Sequence, residues 1–82
     1  MQRLILMYDI VEDNVRAKVA NACLDYGLDR VQYSVFCGKL SRNHQEELML
    51  CVDEFMLKSL GNVKLIPINE RDWARLLEVN YA

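Results

Sequence analysis

The chain has 82 residues, with ten Lys or Arg against twelve Asp or Glu and a formal charge of −2. That size allows one domain with a thin core, and the charge shows no overall basic footprint of the kind that marks a nucleic-acid binder. Hydrophobic residues make up 52% of the sequence, more than so short a chain can hide, which points to an oligomer, while no apolar run approaches the ~18 residues of a membrane span.

The first predicted element is a strand from Arg3 to about Asp9. Its apolar run, Leu4 through Tyr8, suits a strand buried on both faces. The run ends abruptly on a carboxylate, Asp9. A helix follows, capped by Asp13 or Asn14 and running to Tyr26, with Val15, Val19, Ala22/Cys23 and Tyr26 at helical spacing and Gly27 at its C-terminal end. "DRVQYSVFCGKL" then alternates and is rich in β-branched and aromatic residues. It predicts strand structure from about Arg30 to Leu40, as one long strand or two short ones, with Gly38 at a bulge.

A second helix starts at Ser41 or Asn43 and extends to about Leu60. Asn43 and Glu46 form a variant capping box. Its apolar groups, in "LMLCV" and "FML", cover more of the circumference than the stripe of a monomer's surface helix. "NVKLIPI" (62–68) is a further strand, placed at an edge or strand end by Pro67. The tail, residues 75 to 82, alternates again, with Leu77, Val79 and Tyr81 on one side. A last short strand with one apolar face needs a sheet to join. The order fits a single α+β domain over residues 1–82, with two helices on one face of an antiparallel sheet in the ferredoxin-like manner.

Few residues suggest chemistry. Cys23, Cys37 and Cys51 are odd in number and far apart, and read as buried reduced thiols. The single histidine, His44, has no nearby cysteine or second histidine, so a zinc site is not expected. Two readings of Asp9 stay open. It is either an Asx-type residue in an acidic loop with Glu12 and Asp13, or a ligand for a hard cation such as Mg²⁺, which needs only one or two protein carboxylates. Tyr8 and Tyr33 read first as core or interface aromatics. Phe36 lies on the opposite strand face from Tyr33, so one of the two should be exposed. The remaining Lys and Arg residues read as a solvated scatter. With no signal-peptide pattern at the N-terminus, a cytoplasmic protein is expected.

"YDI" closing the first strand, a helix ending in "YGL", then "RVQYSVFCGKL" and "VKLIPI" together resemble the small CRISPR-associated endoribonuclease family, the minor partner in spacer acquisition. The resemblance spans nearly the whole chain, and "GLDRVQYSVFCGKL" is its most specific part. It implies a ferredoxin-like βαββαβ protomer, a homodimer whose sheets pack face to face, and a C-terminal strand that crosses to the partner's sheet, placing Leu77, Val79 and Tyr81 at the interface. It implies that Asp9 binds Mg²⁺ or Mn²⁺ near the two-fold axis as the catalytic residue. It also implies that Arg16 and Arg30 are basic positions near that site and that Phe36 is the family's aromatic.

Two functions follow. One is a metal-dependent nuclease on single-stranded RNA or DNA, using Asp9. The other is a non-catalytic bridge that holds a DNA duplex by its backbone and docks the acquisition integrase. Arg16, Arg30, Lys39 and Arg42 are its candidate contacts, with Tyr8 and Phe36 as aromatic ones. A toxin-like ribonuclease of the same fold is a third reading, separable by the neighbouring genes.

Overall fold

A computed structural model describes residues 1–81. Seven elements follow in order: β1 (Gln2–Ile10), α1 (Asp13–Asp25), β2 (Asp29–Gln32), β3 (Val35–Leu40), α2 (Arg42–Phe55), β4 (Gly61–Ile68) and a short α3 (Glu70–Trp73). The strands form one antiparallel sheet in the order β2-β3-β1-β4. The molecule is thus a small α+β fold, and no helix among the described residues is long and apolar enough to cross a membrane.

The core lies between the sheet and the two long helices. Alternate residues of β1 supply it, Leu4, Leu6, Tyr8 and Ile10, together with Phe36 and Leu40 from β3. Helix α1 answers with Val15, Val19, Ala20, Ala22 and Cys23, and α2 with Leu48 and Val52. Burial pushes the Cys23 thiol up to about 11, which keeps it protonated and unreactive. The period-2 geometry of a strand sends the intervening residues to the other face. There Arg3, Ile5 and Met7 are only partly covered, and Asp9 is exposed.

Several boundaries differ from the sequence expectations. Helix α1 is entered through Glu12, whose side chain makes no capping hydrogen bond. Helix α2 is capped by Ser41, whose hydroxyl accepts from the His44 N–H at 3.1 Å, so Asn43 is inside the helix. That helix ends at Phe55 rather than near Leu60. Residues 30–40 form two strands joined at Tyr33 and Ser34. Tyr8 braces this turn at both ends: its N–H donates to the Ser34 carbonyl at 3.1 Å and its hydroxyl to the Tyr33 carbonyl at 3.4 Å. The irregularity in the ladder falls between Arg30 and Gln32, not at Gly38. Gly38 instead makes room for Leu28, whose Cδ2 would lie 2.7 Å from an added Cβ.

The tail forms no strand among the described residues. After α3, residues 76–81 have no regular structure, and Leu77, Val79 and Tyr81 are exposed. Residue 82 lies outside the described residues. Pro67 is on β4, an edge strand of the sheet, where its missing donor costs little.

Candidate nucleic-acid and metal site

Asp9 projects from the open face of the sheet, near the end of β1. Strand β4 runs beside it, with Asn62 directly across from Asp9 and Lys64 across from Met7. Asp9, Asn62, Lys64 and Ser34 line one shallow hollow with Met7, Tyr8 and Val35. The strand end is fixed closely. Gly61 pairs with Ile10 at φ +136°, and a Cβ on Gly61 would overlap the Asp9 carbonyl oxygen. Gly61 directly follows Leu60, where the sequence pattern ends the second helix. Its place is the first residue of β4, where only a glycine lets the two strands close beside Asp9.

The donor set around Asp9 consists of oxygens, a carboxylate with a neighbouring carboxamide, and this suits a hard cation. Among the described residues no three His, Cys, Asp or Glu converge to hold a metal ion.

The other sequence-predicted residues divide into three places. Tyr8, Arg16, Arg30 and Phe36 lie on the helix side of the sheet. Tyr8, Arg16 and Arg30 line a groove there with Asn21 and Tyr33. Phe36 is fully buried, its ring stacked on Tyr8 at 6.3 Å and covered by the Arg30 guanidinium at 5.1 Å. Neither Phe36 nor Tyr8, 6% exposed, offers a ring face to a base; both support the fold beneath Arg30. Tyr33 is the exposed aromatic at 75%, and Arg30 also reaches over its ring at 5.7 Å. Arg16 is tied to backbone: its Nη1 donates to the Ile10 carbonyl at 2.7 Å and the Val11 carbonyl at 3.0 Å, and its Nη2 pairs with Asp13.

Lys39 is on the open face, paired with Arg3 across the ladder. Six residues of strand, ~20 Å, separate Arg3 from Asp9. Glu70 bridges Lys39 at 3.1 Å and Arg3 at 3.4 Å, while Trp73 takes the Arg3 guanidinium over its ring at 4.5 Å. The hydrogen bond from Lys39, reinforced by Arg3, holds the Glu70 carboxyl below its ordinary range. Arg42 stands apart at the start of α2, exposed, 4.0 Å from Glu46. Sequence reasoning passed over Asn62 and treated Lys64 as a scattered charge. Both come to Asp9 only through the β1–β4 register, which no local pattern reveals.

Comparison with known proteins adds to this geometry. Residues 1–76 match the family model described as CRISPR associated protein Cas2. The chain is 45% identical over 83 residues to a CRISPR-associated endoribonuclease Cas2 of Chloroflexus aurantiacus, covering 99% of this chain and 96% of that one. The crystal structure of Streptococcus pyogenes Cas2 superimposes with a TM-score of 0.77 at 19% identity, covering 95% of this chain and 99% of the other. A CRISPR-associated endonuclease Cas1/endonuclease Cas2 fusion of Thermoproteus tenax is 51% identical over 37 residues, 45% of this chain and 14% of the fusion.

Proposed function

This chain belongs to the CRISPR associated protein Cas2 family, and from that premise we propose that it works in spacer acquisition as a homodimeric nucleic-acid-binding protein with metal-dependent endonuclease activity. The observation that carries the reading is the placement of Asp9, an exposed carboxylate at a strand end beside a partly exposed apolar sheet face formed by Ile5, Met7, Val35, Cys37, Ile66 and Ile68. We read the βαββαβ order as ferredoxin-like. Packing two open faces together would bury their apolar residues and bring two Asp9 residues to one cleft. The crossing tail would place Leu77, Val79 and Tyr81 against the partner. The dimer is expected in the cytoplasm.

Asp9 and its symmetry mate would hold Mg²⁺ or Mn²⁺. When bound, such an ion lowers the pKa of its water and polarises a phosphoryl oxygen. Lys64 and Asn62 line the same hollow and would orient an RNA or DNA phosphate, Lys64 by charge and Asn62 by its carboxamide. Arg30, carried on the Phe36 ring, would attract the strand from the helix side. Cleavage of single-stranded RNA and of DNA with Mg²⁺ tests the reading. Asp9→Asn should abolish it with the circular dichroism unchanged. Equal cleavage by the wild type and Asp9→Asn, purified identically, would sink it.

The fusion of Cas1 with Cas2 in a relative favours a second reading, a bridge to the acquisition integrase. Duplex binding would then survive Asp9→Asn and fall with salt by about 0.9 log units per neutralised phosphate per log unit of salt. Spacer acquisition in cells carrying Asp9→Asn separates the two: normal acquisition supports the bridge, and complete loss with the mutant still dimeric and integrase-bound supports the catalytic role.

A further inference from the structure

We infer that Arg16 is a positioning residue for Asp9 rather than a phosphate contact. The inference rests on the metal-site reading of Asp9 proposed above.

Beyond Met7, β1 loses its neighbour on one side, because the β1–β3 ladder ends at the Met7–Val35 pair. The Tyr8 N–H still finds the Ser34 carbonyl at 3.1 Å. Further along, no strand from β3 is available to bind the chain. Arg16 takes over there. One terminal nitrogen of its guanidinium donates to two successive carbonyls, Ile10 at 2.7 Å and Val11 at 3.0 Å, and the other pairs with Asp13. The helix entrance needs this help, since Glu12 at the N-cap makes no side-chain capping bond. On the opposite side, the Val11 N–H donates to the Leu60 carbonyl at 3.1 Å and Gly61 packs on the Asp9 carbonyl. The end of β1 is thus clamped from both sides, and Arg16 is the clamp on the side that has lost its strand.

The same geometry leaves Arg16 poorly placed for phosphate. Both terminal nitrogens are engaged within the chain, and its side chain is 28% exposed. It also lines the helix-side groove, whereas Asp9 projects to the open face. A planar fork that spans two carbonyls and a carboxylate is beyond what a lysine ammonium reproduces. Arg16→Lys therefore separates charge from position.

The test uses the purified wild-type protein, Arg16→Lys, Arg16→Ala and Asp9→Asn. Three quantities are read: ¹³C relaxation of the Asp9 side chain without metal, Mn²⁺ affinity by electron paramagnetic resonance, and affinity for a single-stranded RNA oligomer in EDTA. Arg16→Lys should leave RNA affinity at the wild-type value. It should make the Asp9 side chain mobile while the α1 amides keep their wild-type order, and weaken Mn²⁺ binding about tenfold or more, as loss of a supporting contact does at metal sites. An Asp9 side chain as rigid as wild type in Arg16→Lys overturns the inference, as does RNA affinity that collapses in Arg16→Ala with Mn²⁺ binding unchanged. If Mn²⁺ binds the wild type and Asp9→Asn alike, the metal reading fails, and Asp9 mobility alone decides the role of Arg16. Should Arg16→Ala fail to fold, Arg16→Lys carries the decision.

Discussion

On β1, Leu4 and Leu6 are fully sealed, while Ile5 and Met7, interleaved with them on the same strand, stay partly exposed. The neighbours repeat the contrast: Phe36 on β3 is at 0%, and Ile66 on β4 reaches 40% exposure. Both faces of the sheet are apolar, yet only one has a cover. The helix side is satisfied by α1 and α2 within one chain. The open side carries the same kind of residue and, among the described residues, has only α3 and its neighbours over one end. A strand that is apolar on every residue, as β1 is from Leu4 to Met7, expects two covers. The partly exposed face is the one that bears Asp9, and in the proposed homodimer a second copy of the chain would cover it.

Substitutions on the two faces should therefore fail in different ways. The largest effect is expected from Phe36→Ala on the sealed face, a loss of about 3–5 kcal/mol of folding stability by urea denaturation. Ile66→Asp on the open face should instead dissociate the proposed dimer in light scattering while keeping the far-ultraviolet dichroism. If both variants simply unfold, the two faces are not distinct in the way described.

Gly61→Ala alters the point where β4 closes on the end of β1 beside Asp9. Its positive φ and the overlap with the Asp9 carbonyl should cost about 1–3 kcal/mol and also reduce cleavage, as the β1–β4 register shifts beside Asp9. A stability and activity equal to wild type would remove Gly61 from the account. Deleting residues 75 to 82 should have a smaller effect, confined to association: a dimer that separates at lower dilution, with little change in the chain's own fold. A truncated chain that remains as firmly dimeric would refute the strand exchange.

The smallest effect concerns the end of the open face that is already covered. Glu70 holds its carboxyl below the ordinary range through Lys39 and Arg3. A lowered native pKa means that its contribution is full above the unfolded value and is lost as the pH falls through the native one. Trp73, the single tryptophan, stands over Arg3 and reports on this contact. Its fluorescence should change in acid, below the ordinary carboxylate range, and Glu70→Gln should show the acid signal at neutral pH. Emission that ignores both would place Trp73 independently of Glu70.

How far the sequence foresaw this molecule depended on the range of each interaction. Strand β1 and the core stripe of α1 were legible because period and burial are local properties. The end of α2 was not. Leu57 and Leu60 extend the apolar pattern past Phe55, but they are exposed at 78% and 75%, and composition cannot tell an exposed leucine from a core one. Helix α3 was missed although its cap was readable: the Asn69 side chain accepts from the Asp72 N–H at 2.7 Å, and the Asn69 to Asp72 spacing announces it. Asp9 was singled out because a carboxylate interrupts an apolar run. Its neighbours Asn62 and Lys64 depend on the strand register, and the tie between Arg16 and the Ile10 and Val11 carbonyls depends on how the helix enters. Neither leaves a trace in residue type or spacing. Phe36 stood out as an aromatic, but its role under Arg30 became visible only with its burial.

In the proposed dimer, Asp9 acts as one half of a paired site on the open face. The most direct test is a Mn²⁺ titration of the purified protein followed by electron paramagnetic resonance, with Asp9→Asn beside the wild type. One tightly bound ion per two chains is expected, lost in Asp9→Asn. One equivalent ion on every chain, or binding that Asp9→Asn leaves untouched, would contradict the paired site.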